Sequence, residues 1–191
     1  MKISVEELNQ RNVKDVNVCD GEFVIDSRLV LSFENNELHY SIIQIPATRK
    51  RYHIDDIDYT TYIDNINRVA YLAYLEGLTV GQIILRKNWN SYAYIEDITV
   101  DVHFRKQGIG KELISWAKQW ARDRSLRGIM LETQDNNVAA CKFYESCGFQ
   151  LGGFDTYLYK GIDPTTHEVA LFWYFIYGED SPHQSLRPDI L

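Results

Sequence analysis

The residues of this chain best placed to do chemistry form the run Arg105-Lys106-Gln107-Gly108-Ile109-Gly110. Two glycines let a backbone turn tightly, so successive amide N–H groups can point into one space at the positive end of a following helix. Such a space suits a phosphate or pyrophosphate. Arg105 and Lys106 add full positive charge beside the partial charges of the amides. Read alone, the run fits a tight turn entering a helix better than a phosphate site, because short glycine pairs before helices are common.

The run must be held by a strand before it and a helix after it. An apolar, strand-like stretch ends near Val102. After Gly110, residues Leu113, Ile114, Ala117, Trp120 and Ala121 recur at three- and four-residue intervals, while Lys111, Glu112, Ser115, Lys118 and Gln119 face out. Burying the apolar face against a sheet fixes where the helix N-terminus points. Downstream, the apolar run 128–131 followed by Glu132, Thr133 and Gln134 predicts a buried strand with a polar exit. A second helix is expected to open at Asn136 and Asn137, to carry Val138, Ala140, Cys141, Tyr144 and Cys147, and to stop at Gly148. Other strands are predicted over 22–33, 38–45, 68–75, 78–86, 91–102, 149–161 and 167–177, after a short polar N-terminal segment. Asn35-Asn36 and Glu76-Gly77 mark turns.

In this order the residues resemble the GNAT superfamily of acyl-CoA-dependent N-acyltransferases. Its coenzyme motif, Gln/Arg-x-x-Gly-x-Gly/Ala, is matched by Arg105, Gly108 and Gly110. Its later signature, an asparagine, a Phe-Tyr pair and Gly-Phe, is matched by Asn137, Phe143, Tyr144, Gly148 and Phe149. The resemblance covers residues 68–160. It implies an α/β (α+β) fold with a mixed central sheet of about six to seven strands, splayed at an acetyl-CoA site and flanked by helices. One domain would span 1–177, with a C-terminal tail over 178–191, and one or two short helices between Arg49 and Asn67 would border the acceptor site. The pyrophosphate of acetyl-CoA would sit on the turn formed by Arg105, Lys106, Gln107, Gly108, Ile109, Gly110 and Lys111. The pantetheine arm would run between strands 91–102 and 128–134, pair with the backbone of Ile98, Thr99 and Val100, and touch Asn137.

An acceptor amine with a lysine-like pKa near 10.4 is about 99.9% protonated at pH 7, so it needs a base before it can attack. The resemblance puts Glu96 and Asp97, within Tyr94-Ile95-Glu96-Asp97-Ile98, on the strand beside the thioester. Consecutive strand residues face opposite ways, so one of them at most points at the amine unless a bulge intervenes. Glu96 is the expected base, directly or through water, and Asp97 is expected to help hold the cation. Some branches of the family carry the base two residues earlier, where this chain has Tyr94; polyamine acetyltransferases have a similar Tyr-x-Glu-Asp run. Backbone N–H groups near Ile98 to Val100 would face the oxyanion. Tyr144 matches the family tyrosine that protonates the departing thiolate. No metal is required, and the scattered histidines offer no ligand spacing.

The stretches 94–100 and 134–155 look like the branch of the family that acetylates streptothricin on an amino group of its β-lysine part. A cationic small-molecule amine is then the expected partner, with Asp55, Asp56, Asp58, Asp97 and Asp155 as substrate contacts. Charge agrees. The chain carries a net −7, yet between Arg105 and Arg127 seven basic residues meet only Glu112 and Asp123. A polyanionic cofactor suits the basic segment and a cationic substrate the acidic remainder, while nucleic acid is a poor match. No apolar run is long enough for a bilayer, and a start containing Glu6, Glu7 and Asn9 does not read as a signal peptide, so a cytoplasmic enzyme is expected. Cys141 and Cys147 fall on different faces of one predicted helix and Cys19 is distant, which excludes a disulfide framework. A homodimer is compatible with all of this. Two other readings stay open: a GNAT enzyme for polyamines or protein amines, and a CoA-binding sensor with no use for Tyr144. A Rossmann domain fits poorly, because the glycine turn falls after several strands.

Overall fold

The computed structural model describes residues 2–52 and 56–178. Its centre is a seven-stranded mixed sheet. The strands are β1 (Ser4–Glu7), β4 (Arg68–Leu75), β5 (Leu78–Lys87), β6 (Ala93–Val100), β7 (Gly128–Gln134), β8 (Gln150–Asp155) and β9 (Ala170–Ile176), in the spatial order β1-β4-β5-β6-β7-β9-β8. A separate antiparallel hairpin is made by β2 (Phe23–Glu34) and β3 (Glu37–Lys50). Asn35 and Asn36 both take positive φ at its tip, as a two-residue hairpin turn requires, and Glu76-Gly77 does the same between β4 and β5.

The strands β4 and β5 read as nearly continuous apolar runs because both of their faces are covered. On one face lies α1 (Ile109–Asp123), whose Leu113, Ile114, Ala117, Trp120 and Ala121 pack with Val69, Ile83, Leu85, Ile95, Ile129 and Leu131. Each fully buried aliphatic side chain there contributes about 1.5–3 kcal/mol. The shorter α2 (Val138–Ser146) adds Cys141 and Tyr144 to the same core and ends, as predicted, at Gly148 with φ +86°. On the opposite face Leu8, Tyr62, Ala70, Leu72 and Ile84 form a smaller cluster under the N-terminal segment and a 3-10 turn over Tyr59–Tyr62.

Three expectations need correction. The N-terminal segment is not merely polar: Ser4–Glu7 pairs antiparallel with β4, a strand of four residues, too short to show a period. The strand β3 runs past Ile45 to Lys50, because a bulge opposite Asp26 absorbs Pro46, the residue that signals a stop. The strand β8 stops at Asp155, whose carboxylate accepts from the N–H groups of Tyr157 (2.6 Å) and Leu158 (3.0 Å) and turns the chain. The one or two short helices expected between Arg49 and Asn67 are met, among the described residues, by one 3-10 helix over Tyr59–Tyr62, with Asp58 accepting from the Thr60 N–H at its start. Asp55 and the tail beyond Gly178 lie outside the described residues.

Candidate active site

The strands β6 and β7 run parallel, yet they pair only at Ala93–Ile129 and Tyr94–Met130. Beyond that point they diverge, while β6 stays registered with β5 to Val100 and β7 with β9 to Gln134. A wedge-shaped gap opens between them, flanked on the β6 side by the free backbone edge of residues 95–100. An extended chain can add to such an edge by main-chain hydrogen bonds.

At the far end of β6 the chain enters the glycine turn. Lys106 and Gly108 take positive φ, +62° and +88°, and Gly108 is the N-cap of α1. The first rung of the helix ladder is Glu112 N–H to the Gly108 carbonyl at 3.0 Å, so the N–H groups just before it are the orphan donors of a helix N-terminus. Lys106, Gln107 and Lys111 are exposed around them, and Arg105 Nε donates to the Val100 carbonyl at 3.1 Å, tying the turn to β6. The two glycines serve different ends. Gly108 supplies the left-handed backbone, whereas a Cβ at Gly110 would lie 2.9 Å from Phe143 Cζ, so Gly110 lets α1 sit close against α2. Ile109 is buried at 1% exposure, and only its backbone is available to a ligand. These features fit a pyrophosphate followed by an extended arm.

On the side of the sheet away from α1, a cavity of about 500 Å³ adjoins the gap. Tyr62, Gln82, Tyr94, Glu96, Asp97 and Thr99 are among its walls. Here the sheet departs from simple alternation. Ile84 pairs with Asp97 but Leu85 pairs with Ile95, which makes Glu96 the extra residue of a β-bulge. The bulge puts Glu96 and Asp97 on one cavity wall although they are adjacent in sequence. Glu96 accepts from the Tyr62 hydroxyl at 2.7 Å through Oε2 and pairs with Arg86 Nε at 3.0 Å through Oε1. Asp97 accepts from Gln82 Nε2 (2.7 Å) and Thr99 Oγ1 (3.0 Å). Burial pushes its carboxyl above the usual range, and these two bonds pull against that rise.

Tyr144 stands on α2, its ring packed against Phe143, Phe149 and Trp173. Its side chain is buried, and burial, with the charges of Tyr52 and Asp97, holds its hydroxyl well above the ordinary tyrosine range. Asn137 caps α2, accepting from Ala140 N–H at 3.2 Å, while its Nδ2 donates to the Tyr52 hydroxyl at 3.0 Å; that hydroxyl in turn donates to Gln134 Oε1. Burial pushes Tyr52 up to about 12.

Not every expected residue comes to this place. Asp56 and Asp58 are exposed on the segment before Tyr59, and the Asp58 carboxylate is committed to Thr60. Asp155 sits on β8, two strands beyond β7, committed to its own turn. None of these three lines the cavity; Asp20 does, paired with Arg51 at 2.9 Å. Tyr52 and Tyr62 belong to the segment expected to border the acceptor site and Glu132 to the polar exit of β7, but none of them was expected as a site residue, and neither were Gln82 and Asp20. Only Gln82 left a local signal, a long polar side chain inside the apolar run 80–85. Among the described residues no group of three or more His, Cys, Asp or Glu is placed to hold a metal, and no helix is long and apolar enough to cross a membrane.

With this geometry in hand, comparison with known proteins is specific. Residues 39–149 match the model of the acetyltransferase (GNAT) family. The chain is 40% identical to streptothricin acetyltransferase A of Bacillus subtilis over 90% of its length and 98% of the relative's. It is 37% identical to a streptothricin acetyltransferase of Escherichia coli, over 88% and 84% of the two chains. A crystal structure from Bacillus anthracis, assigned as a streptothricin acetyltransferase and holding acetyl coenzyme A, superposes with a TM-score of 0.86 at 46% identity, covering 93% of this chain and 98% of that one.

Proposed function

Because the chain belongs to the acetyltransferase (GNAT) family and is an N-acetyltransferase using acetyl-CoA, we propose that its acceptor is streptothricin, acetylated on an amino group of the β-lysine moiety by direct transfer with both substrates bound. The observation that carries this reading is the bulge at Glu96, which presents two adjacent carboxylates to one cavity beside the gap. Such a wall suits a compact cation better than a neutral acceptor.

Acetyl-CoA supplies an acetyl group activated as a thioester. The chain's own residues do the rest. The orphan N–H groups at the start of α1, with Lys106 and Lys111 beside them, would hold the pyrophosphate, and the edge of β6 at Ile98, Thr99 and Val100 would hold the pantetheine arm. Asn137, bonded to the Tyr52 hydroxyl, would touch that arm from α2. N–H groups of β6 that face the gap would stabilise negative charge on the acetyl oxygen, at about 3 kcal/mol per donor. Since Arg86 and Tyr62 already occupy both oxygens of Glu96, we give Glu96 the role of a fixed charge that holds the ammonium, with Asp97 at its side, in place of the base expected from the strand alone. Tyr144 donates a hydrogen bond to the departing sulfur.

The test is thiol release from acetyl-CoA with streptothricin, spermidine and free lysine as separate acceptors. Streptothricin should give the highest kcat/KM. A preference for spermidine would move the substrate while leaving the cofactor site as described.

A further inference from the structure

The last pair joining β7 to β6 is Met130–Tyr94, and the next residue of β7 on the Met130 face is Glu132. Had the strands stayed paired, Glu132 would stand opposite Glu96. Instead they diverge at that point, so Glu96 and Glu132 stand at the same level on the two strands that bound the gap. Their circumstances differ. Glu96 has partners for both oxygens, whereas Glu132 Oε1 is buried with no hydrogen-bond partner among the described residues. A buried carboxylate oxygen left unpaired is unfavourable unless it takes a proton or meets a ligand.

Charged and titratable groups approach Glu132 from four neighbouring segments, while β9 sets Phe172 opposite it. Tyr94 faces it from β6, Tyr52 from the segment after β3, Glu168 from the segment before β9, and Tyr144 from α2. The cations of the adjoining strands are committed elsewhere: Arg86 to Glu96 and the Tyr94 ring, Lys50 to Glu168, which also accepts from Asn136 Nδ2 at 2.9 Å. Burial first, and the Glu168 charge second, push the Glu132 carboxyl up to about 7.

We propose that Glu132 is a further catalytic residue, the proton acceptor for the reacting amine, working across the gap from the Glu96 carboxylate that holds the cation. This rests on the reading of the chain as acetylating a cationic amine. The ammonium gives one proton to Glu132 Oε1, and the freed lone pair forms the C–N bond to the acetyl carbon as the C–S bond breaks. The second N–H proton leaves with the sulfur as thiol, and Glu132 releases its own to solvent. Against an amine of pKa about 10.4, an ordinary glutamate near 4.3 is mismatched by a factor of about 10⁶. A carboxyl at about 7 narrows the mismatch to about 10³ and is still substantially ionised at neutral pH.

The experiment records kcat/KM for streptothricin against pH at saturating acetyl-CoA for the wild type, Glu132→Gln and Glu96→Gln, with calorimetric acetyl-CoA affinity for each. The wild type should lose activity along an acid limb near pH 7. Glu132→Gln should abolish that limb and fall about 10²–10⁴-fold with acetyl-CoA affinity unchanged. Glu96→Gln should keep the limb and raise KM. A Glu132→Gln enzyme that keeps the limb, or stays within about threefold of the wild-type rate, overturns the assignment. If the wild type acetylates another amine instead, the streptothricin reading fails while the same profiles with that amine still judge Glu132. A substrate-free check is ¹³C carboxyl titration: a resonance with pKa near 7, absent in Glu132→Gln, is expected, and titration of Glu132 among the ordinary carboxylates refutes the role.

Discussion

Replacing Tyr144 by phenylalanine isolates one hydroxyl. The ring packs against Phe143, Phe149 and Trp173 at centroid distances of 5.5, 5.9 and 6.5 Å, contacts that phenylalanine retains, so the fold should survive with a stability change below about 1 kcal/mol. The chemical loss follows from the direction of the hydroxyl's shift. Even an ordinary tyrosine at pKa about 10 lies about 1.5 units above a thiol near 8.5, which makes full proton transfer to the sulfur uphill by about 2 kcal/mol. Burial raises Tyr144 further, so it stays protonated across the working range and, in the proposed mechanism, would serve as a hydrogen-bond donor. Removing one donor aimed at developing charge costs about 2.7–4 kcal/mol, or about 10²–10³ in kcat. Thiol-release kinetics should show that loss at every pH between about 6 and 9, with KM for acetyl-CoA within about twofold of wild type. A kcat within about threefold of wild type, or a defect confined to acetyl-CoA binding, would refute the reasoning.

Three further outcomes follow from particular contacts. Gly128→Ala would drive a Cβ to 2.0 Å from the Phe175 carbonyl oxygen at the root of the gap, so it should cost more than about 3 kcal/mol and show as a large fall in Tm; a Tm near wild type would contradict the close β7–β9 approach. Tyr62→Phe removes the 2.7 Å bond that orients Glu96, and should raise KM for streptothricin about 3- to 10-fold while leaving KM for acetyl-CoA alone, as steady-state kinetics will report. Glu132→Gln should also change the pH dependence of stability. Its carboxyl lies at about 7 folded against 4.5 for the free group, so the native state holds a proton that the unfolded chain has already lost. Wild-type stability therefore falls as pH rises through that window, by roughly 3 kcal/mol as an upper bound. Denaturant unfolding should find the glutamine variant gaining on wild type between about pH 5 and 8, and parallel curves would show that Glu132 is not raised.

The strand, turn and helix proposed to hold the cofactor were legible because they are local. Strand, turn and helix are consecutive in sequence, the apolar period of α1 fixes its N-terminus, and Gly108 announces a left-handed backbone. The acceptor half was not, because it depends on register. Whether Glu96 and Asp97 share a wall is decided by one extra residue opposite Ile84 and Leu85, which no periodicity in β6 reveals. Glu132 looked like a polar exit from a buried strand; it gains meaning only from where β6 and β7 part. Asp58 and Asp155 drew notice as acidic residues, but their carboxylates answer to neighbours two and three positions away, a local use that charge counting does not see.

Tandem mass spectrometry of the product formed from acetyl-CoA and streptothricin tests the central claim most directly. Streptothricin should carry one acetyl group, located on its β-lysine fragment, with one thiol released per product. Unmodified streptothricin recovered after incubation, beside an acetylated spermidine control, would contradict it.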